Sequence, residues 1–237
     1  MILQTQHMDV GYGKCVLLPA LHLSVDKGEI VVLLGKNGSG KSTLMRTLCG
    51  LQAPLSGTLK IDQEDAQRFS AMEWSTRVAL VHTRVDDTGF LDVFSLVALG
   101  RMPYTGMMGN LSSLDLSKVE NALQRCHALH LQNRIFAQLS DGEKQRVLIA
   151  RAIAQDTPLV IMDEPTAFLD FQARQQMHQL LSDLVKETQK SIIISTHEIE
   201  LALKMGSLFW IIGDKGIVFQ ERDPQKAREI LHQSFGY

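Results

Sequence analysis

Ile30-Val-Val-Leu-Leu-Gly35-Lys-Asn-Gly38-Ser-Gly40-Lys41-Ser42-Thr43 is the stretch from which the rest of the chain can be read. The five apolar residues Ile30 to Leu34 fit a strand covered on both faces, as in a parallel sheet. The glycine-rich segment behind them has the spacing G-x-x-x-x-G-K-[ST] and opens a helix predicted over Lys41–Cys49, with Gly50 just past its end. In that setting the glycines let the backbone fold round phosphate groups, so that successive N–H groups and the positive end of the helix face the anion. Lys41 would reach the outer phosphates and the Ser42 hydroxyl would ligate Mg²⁺. A chance match in a glycine-rich turn would not carry the strand before it and the helix after it. The expectation is nucleotide binding.

Two further units of this kind lie downstream. Leu159-Val-Ile-Met162 is a second buried run, ending in Asp163-Glu164, and Ser191-Ile-Ile-Ile-Ser-Thr196 is a third. Between them Met177, Leu180, Leu181, Leu184 and Val185 fall at helical spacing, with Asp170 placed as N-cap. Met1–Leu34 reads as strands with a turn at Asp26–Glu29, and Asp214-Lys215-Gly216 separates Leu208–Ile212 from Ile217–Phe219 as a hairpin. Strands alternating with helices predict an α/β fold with a mainly parallel core sheet and an N-terminal antiparallel part. The stretch from Gly89 to Gln155 has no comparable β run. Helices are predicted there over Val93–Leu99, Ser117–Leu129 and Asp141–Ala154, with capping-box spacing at Ser117/Glu120 and Ser140/Glu143. The expected organisation is one domain, 1–237, with an α/β core at about 1–83 and 156–237 and an inserted helical subdomain at about 84–155.

Composition narrows the class. The 237 residues are 45% apolar and 21% charged, and 24 basic against 26 acidic residues leave a formal charge of −2. That balance argues against a general nucleic-acid binder, which shows a basic excess. The longest apolar runs, Ile30–Leu34 and Leu208–Ile212, fall far short of the roughly 20 residues of a membrane-spanning helix. The start, Met1 to His7, has neither the basic nor the apolar part of a signal peptide. Cys15, Cys49 and Cys126 are scattered and odd in number, which predicts a reduced, cytosolic protein without a disulfide framework or cysteine metal site.

A magnesium nucleotide needs a second anchor, and the strand ending at Asp163-Glu164 delivers carboxylates to the edge where ligands collect in open α/β sheets. Side chains alternate along a strand, so the two would face different ways if the strand ran through both. Asp163 suits Mg²⁺. Glu164 is then free to orient and deprotonate an attacking water, or else merely caps the next loop.

Gly35–Thr43 (GKNGSGKST), Leu139–Arg146 (LSDGEKQR), Leu159–Pro165 (LVIMDEP), Ala167–Asp170 (AFLD) and Ser195-Thr-His197 occur in this order and together resemble the nucleotide-binding subunits of ABC transporters over essentially the whole chain. A GTPase would carry a guanine-specific Asn-Lys-x-Asp, which is absent. The resemblance implies a P-loop ATPase that hydrolyses MgATP. Gly35, Asn37, Gly38, Ser39, Gly40, Lys41, Ser42 and Thr43 would hold its phosphates, Ser42 and Asp163 its metal, and Glu164 would be the general base. It implies that Ser140 and Gly142 bind the terminal phosphate of ATP held by a partner subunit, so that two head-to-tail copies sandwich two nucleotides, with Asp170 at the same boundary. A serine-capped helix start with free N–H groups is a physically apt anion site, although alone it reads equally as an ordinary capped helix. His197 would contact the terminal phosphate, and Tyr12 would stack on the adenine or else be an exposed turn tyrosine.

The chain departs from the family pattern in two places, at the signature and at the loop after the Arg77–Val81 strand. Asp141 and Glu143 stand where the signature has glycine and glutamine, and they add negative charge at a phosphate-binding helix start. Thr83 occupies the place of a glutamine, too short to reach Mg²⁺ except through a water. Val97-Ala-Leu-Gly-Arg101-Met-Pro103-Tyr104 looks like a segment of importer ATPases for iron-siderophore, haem and cobalamin, and also reads as a helix ended by Gly100 and Pro103. The expected function is therefore the ATPase of a bacterial importer. It would drive membrane-spanning permease subunits from the inner face of the cell membrane, with an extracytoplasmic binding protein as indirect partner. The alternative is a soluble ABC-type ATPase acting on DNA or ribosomes.

Overall fold

The chain opens with a hairpin. Leu3–Tyr12 (β1) turns and returns as Cys15–Leu21 (β2), and Ser24–Val25 (β3) pairs with the start of β1. Ile30–Gly35 (β4) leads through the glycine loop into Lys41–Leu48 (α1), which ends with Gly50 in the left-handed region at φ +72°. Ser56–Ile61 (β5) and Glu64–Asp65 (β6) complete an antiparallel sheet of order β2-β1-β5-β6. Ala71–Arg77 (α2) runs into Val78–Val81 (β7). This computed structural model describes residues 1–82, 89–106 and 109–235, so Thr83 lies outside the described residues.

A helical insert follows: Val93–Ala98 (α3), a 3₁₀ stretch over Leu99–Tyr104, Ser113–Arg125 (α4) and Asp141–Ala154 (α5). The chain then returns to the sheet through Leu159–Asp163 (β8), Phe171–Thr188 (α6), Ser191–Ser195 (β9), Ile199–Met205 (α7), Leu208–Ile212 (β10), Val218–Glu221 (β11) and Pro224–Phe235 (α8). The second sheet has the order β11-β10-β4-β9-β8-β7, and every pair is parallel except β10–β11. The α/β reading with a mainly parallel sheet and an antiparallel N-terminal part holds.

β4 explains the layering. Val31 and Leu33 point into a core shared with α1 and the antiparallel sheet, while Val32 and Leu34 point into one shared with the helical insert, α6 and α8. Both faces are dry, so alternation is lost and five apolar residues run together. Leu44, Met45 and Leu48 seat α1 between the two sheets. At about 1.5–3 kcal/mol per fully buried large side chain, this anchoring fixes the helix start relative to β4.

The insert differs from the sequence expectation in its helix bounds. α4 starts four residues before Ser117 because the capping box that forms is Ser112/Asp115: Ser112 Oγ accepts from Asp115 N–H, and Ser112 N–H donates to Asp115 Oδ2 at 2.9 Å. It stops at Arg125 rather than Leu129, with His127 in the left-handed region at φ +52°. Gly100 and Pro103 do not end structure after α3, since the backbone tightens into 3₁₀ through both.

Candidate functional site

Strand order makes the site. β4, β9 and β8 are neighbours, so the loops leaving their carboxyl ends converge, and these carry the phosphate loop, Ser195–His197 and Asp163–Glu164. Gly38 and Gly40 take φ +76° and +103°, angles that β-carbons oppose, which turns the loop round a hollow at the start of α1. Gly35 has no room for a side chain, since a β-carbon there would lie 2.7 Å from Ser39 Oγ. Ser39 Oγ is buried without a protein partner, and the Lys41 side chain, on a residue only 6% exposed, donates to the carbonyls of Gly35 (2.6 Å) and Lys36 (3.0 Å). Burial pushes the Lys41 ammonium below the usual lysine range, against the opposing pull of Glu164 and Asp163. A buried cation beside an orphaned hydroxyl and a turn of left-handed glycines is a site shaped for phosphate.

Asp163 closes β8, with Oδ2 3.4 Å from the Ser42 hydroxyl and Oδ1 accepting from Ser195 Oγ at 2.6 Å. The same Ser195 hydroxyl accepts from Glu164 N–H at 2.9 Å. Glu164 is not part of the strand: its φ is +46°, an unusual angle for a side-chain-bearing residue. The divergence of Asp163 and Glu164 therefore comes from a backbone kink held by Ser195, not from strand alternation. The kink sets the Glu164 carboxylate against His197, with Oε1 to Nε2 at 2.5 Å. Ser195 is the residue whose part sequence reasoning missed; its place two before His197 was the available signal.

Tyr12, a residue 52% exposed, ends β1 with its hydroxyl 3.1 Å from Thr43 Oγ1, which fixes a flat aromatic face beside the start of α1. Asn37 is exposed at the loop tip. Ser140, Gly142 and Asp170 belong to a separate group. Ser140 caps α5, with its N–H and its hydroxyl both donating to Glu143 Oε2 at 2.8 Å, and those bonds hold the Glu143 carboxyl below its usual range. Asp170 caps α6 by accepting from Ala173 N–H at 2.8 Å, and a β-carbon on Gly142 would sit 3.9 Å from the Ala173 β-carbon. The two helix starts thus lie side by side. Among the described residues no cluster of three or more His, Cys, Asp or Glu forms a metal cage, and no helix is long and apolar enough to cross a membrane.

This constellation is that of an ATP-binding cassette, and residues 18–167 match the family model described as ABC transporter. The chain belongs to that family and is an ATPase that binds ATP. It is 32% identical over 235 residues to the iron(3+)-hydroxamate import ATP-binding protein FhuC of Bacillus subtilis, covering 98% of this chain and 87% of that one. Among solved structures it resembles cbiO1 of Clostridium perfringens, part of the ABC transporter complex cbiONQ, with TM-score 0.85, 27% identity and 99% and 96% of the two chains covered. It also resembles the dimeric cassette MJ0796 bound to ADP and Pi, with TM-score 0.79, 26% identity and coverage of 93% and 98%.

Proposed function

We propose that the chain is the ATP-hydrolysing subunit of a bacterial importer for an iron-chelate or cobalamin-type compound, working as a head-to-tail homodimer under a membrane-spanning permease at the inner face of the cell membrane. An extracytoplasmic binding protein would deliver the cargo. FhuC as a relative, and the complex and dimer in which the structural neighbours occur, support this reading. So does the cleft of about 430 Å³ between core and insert, where Leu51, Trp74, Leu80 and Leu148 offer an apolar seat for a permease segment.

The observation that carries the chemistry is the kinked Glu164, its carboxylate 2.5 Å from His197 Nε2 beside the phosphate loop. In this reading Lys41 and the loop N–H groups from Gly35 to Thr43, that of Asn37 among them, bind the phosphates, and Tyr12 stacks on the base. Ser42 and Asp163, two hard oxygen donors side by side, suit Mg²⁺, which when bound neutralises phosphate charge. Glu164 takes the proton of a water whose oxygen attacks the terminal phosphorus, as the bond to the ADP oxygen breaks. His197 holds the Glu164 carboxylate and the water's surroundings. Ser140 and Gly142 of the second copy complete the phosphate shell, with Asp170 at the subunit boundary.

Glu164→Gln should cut ATP turnover roughly 10²–10⁴-fold, the scale of a lost general base, while ATP binding survives. Turnover near the wild-type rate in a steady-state phosphate-release assay would overturn the assignment.

A further inference from the structure

The segment Gly100-Arg101-Met-Pro-Tyr104 has no part in the chemistry above, yet three of its residues, Gly100, Arg101 and Tyr104, meet the carboxyl end of α5. Gly100 lies so close to that helix that a β-carbon on it would sit 2.4 Å from the Arg151 carbonyl oxygen. Arg101 Nη1 donates to Ala154 O at 2.7 Å and the Tyr104 hydroxyl donates to Gln155 O at 3.0 Å. The last carbonyls of a helix have no partner within it, and a cation there also complements the helix dipole. The Arg101 guanidinium, on a residue 4% exposed, lies over the Tyr104 ring at 3.9 Å and pairs with Asp115 of α4 at 2.9 Å. Gln155, the C-cap of α5, reaches out of the insert: its Nε2 donates to Ser75 O (2.7 Å) and Val78 O (3.3 Å), across the α2–β7 junction of the core.

α5 is thus fastened at the end opposite Ser140. Its 14 residues span about 20 Å, so a tilt of about 5° at the fastened end would carry Ser140 about 2 Å. Hydrogen-bond lengths vary over only about 2.7–3.2 Å, so that displacement is enough to lose a contact at the far end.

We propose that Arg101, Tyr104 and Gln155 are positioning residues that set, through the axis of α5, where Ser140 meets the terminal phosphate of ATP held by the other copy. The inference rests on the head-to-tail dimer proposed above. The test uses the Glu164→Gln chain as parent, with the MgATP-dependent monomer–dimer constant read by sedimentation and nucleotide affinity read with fluorescent mant-ATP. Tyr104→Phe should weaken the dimer about three- to tenfold and Gln155→Leu tenfold or more, with mant-ATP affinity within about twofold of the parent and melting temperature within a few degrees. Arg101→Lys keeps the charge but not the fork, and should fall with them. A parent that does not dimerise removes the dimer reading itself. A parent that dimerises, with folded Tyr104→Phe and Gln155→Leu chains matching it, overturns this proposal alone. Should Gln155→Leu not fold, Tyr104→Phe decides, since it loses one hydroxyl from a partly exposed ring.

Discussion

Lys41, Ser42, Asp163 and Glu164 hang from strands buried on both faces, whereas Ser140 begins a helix at the surface. In the first region each group is held by others of the same chain: Lys41 by two carbonyls, Asp163 and the Glu164 amide by Ser195, and the Glu164 carboxylate by His197. In the second, the donors that would face phosphate are turned inward, because Ser140 spends its N–H and its hydroxyl on Glu143, with Asp141 alongside. One region is built before ligand arrives. The other is a closed cap, which under the proposed head-to-tail dimer has to exchange its own carboxylate for an incoming phosphate.

Removing groups from the built region should have the larger consequences. Lys41→Ala deletes charge-assisted hydrogen bonds worth about 1.5–3 kcal/mol, and should weaken ATP binding roughly 10- to 100-fold in an equilibrium titration. An unchanged affinity would mean that the loop does not hold phosphate. Ser195→Ala removes the hydroxyl that Asp163 Oδ1 and the Glu164 N–H share, and leaves the kink held by the 3.2 Å bond from Glu164 N–H to the Ser195 carbonyl alone. It should lower turnover about tenfold and stability by about 1–3 kcal/mol, read by steady-state rates and urea unfolding. If turnover stayed the same, the φ of +46° at Glu164 would be maintained by the strands alone.

The same contrast decides what could be read from the residues. The phosphate loop was legible because its determinants are local: five apolar residues, then glycines at fixed spacing. The hydroxyl that organises Asp163 and Glu164 was not, because Ser195 stands 32 and 31 residues away from them and meets them only through the order β4-β9-β8. The short edge strand β6 and the α2 helix, which buries no residue fully, have too little apolar pattern to announce themselves. The start of α4 shows two capping spacings, Ser112/Asp115 and Ser117/Glu120. The first prevails with its Asp115 also engaged by Arg101 from another segment, a contact outside any local window.

The smallest effect is expected at the cap, and it has the opposite sign. Glu143 accepts both Ser140 donors, and its carboxyl is held below its ordinary range first by the Ser140 N–H and then by the hydroxyl. A lowered folded-state pKa means that the capping contribution is present above the unfolded value of about 4.3 and lost only as pH falls through the folded one. Glu143 is therefore ionised throughout the neutral range, and its charge stands next to the place where a phosphate of the second copy is proposed to dock. A unit charge a few ångströms from that phosphate costs about 1 kcal/mol in a water-like medium, and Arg134, 3.5 Å from Glu143, offsets part of it. Glu143→Gln keeps an acceptor for Ser140 and removes the charge. In the Glu164→Gln background it should tighten MgATP-driven dimerisation about three- to fivefold, by an amount that does not change between about pH 6 and 8. A weaker dimer would show instead that the carboxylate's grip on Ser140 is what keeps the helix start in shape for phosphate, so that the cap and the anion site are one structure and not rivals.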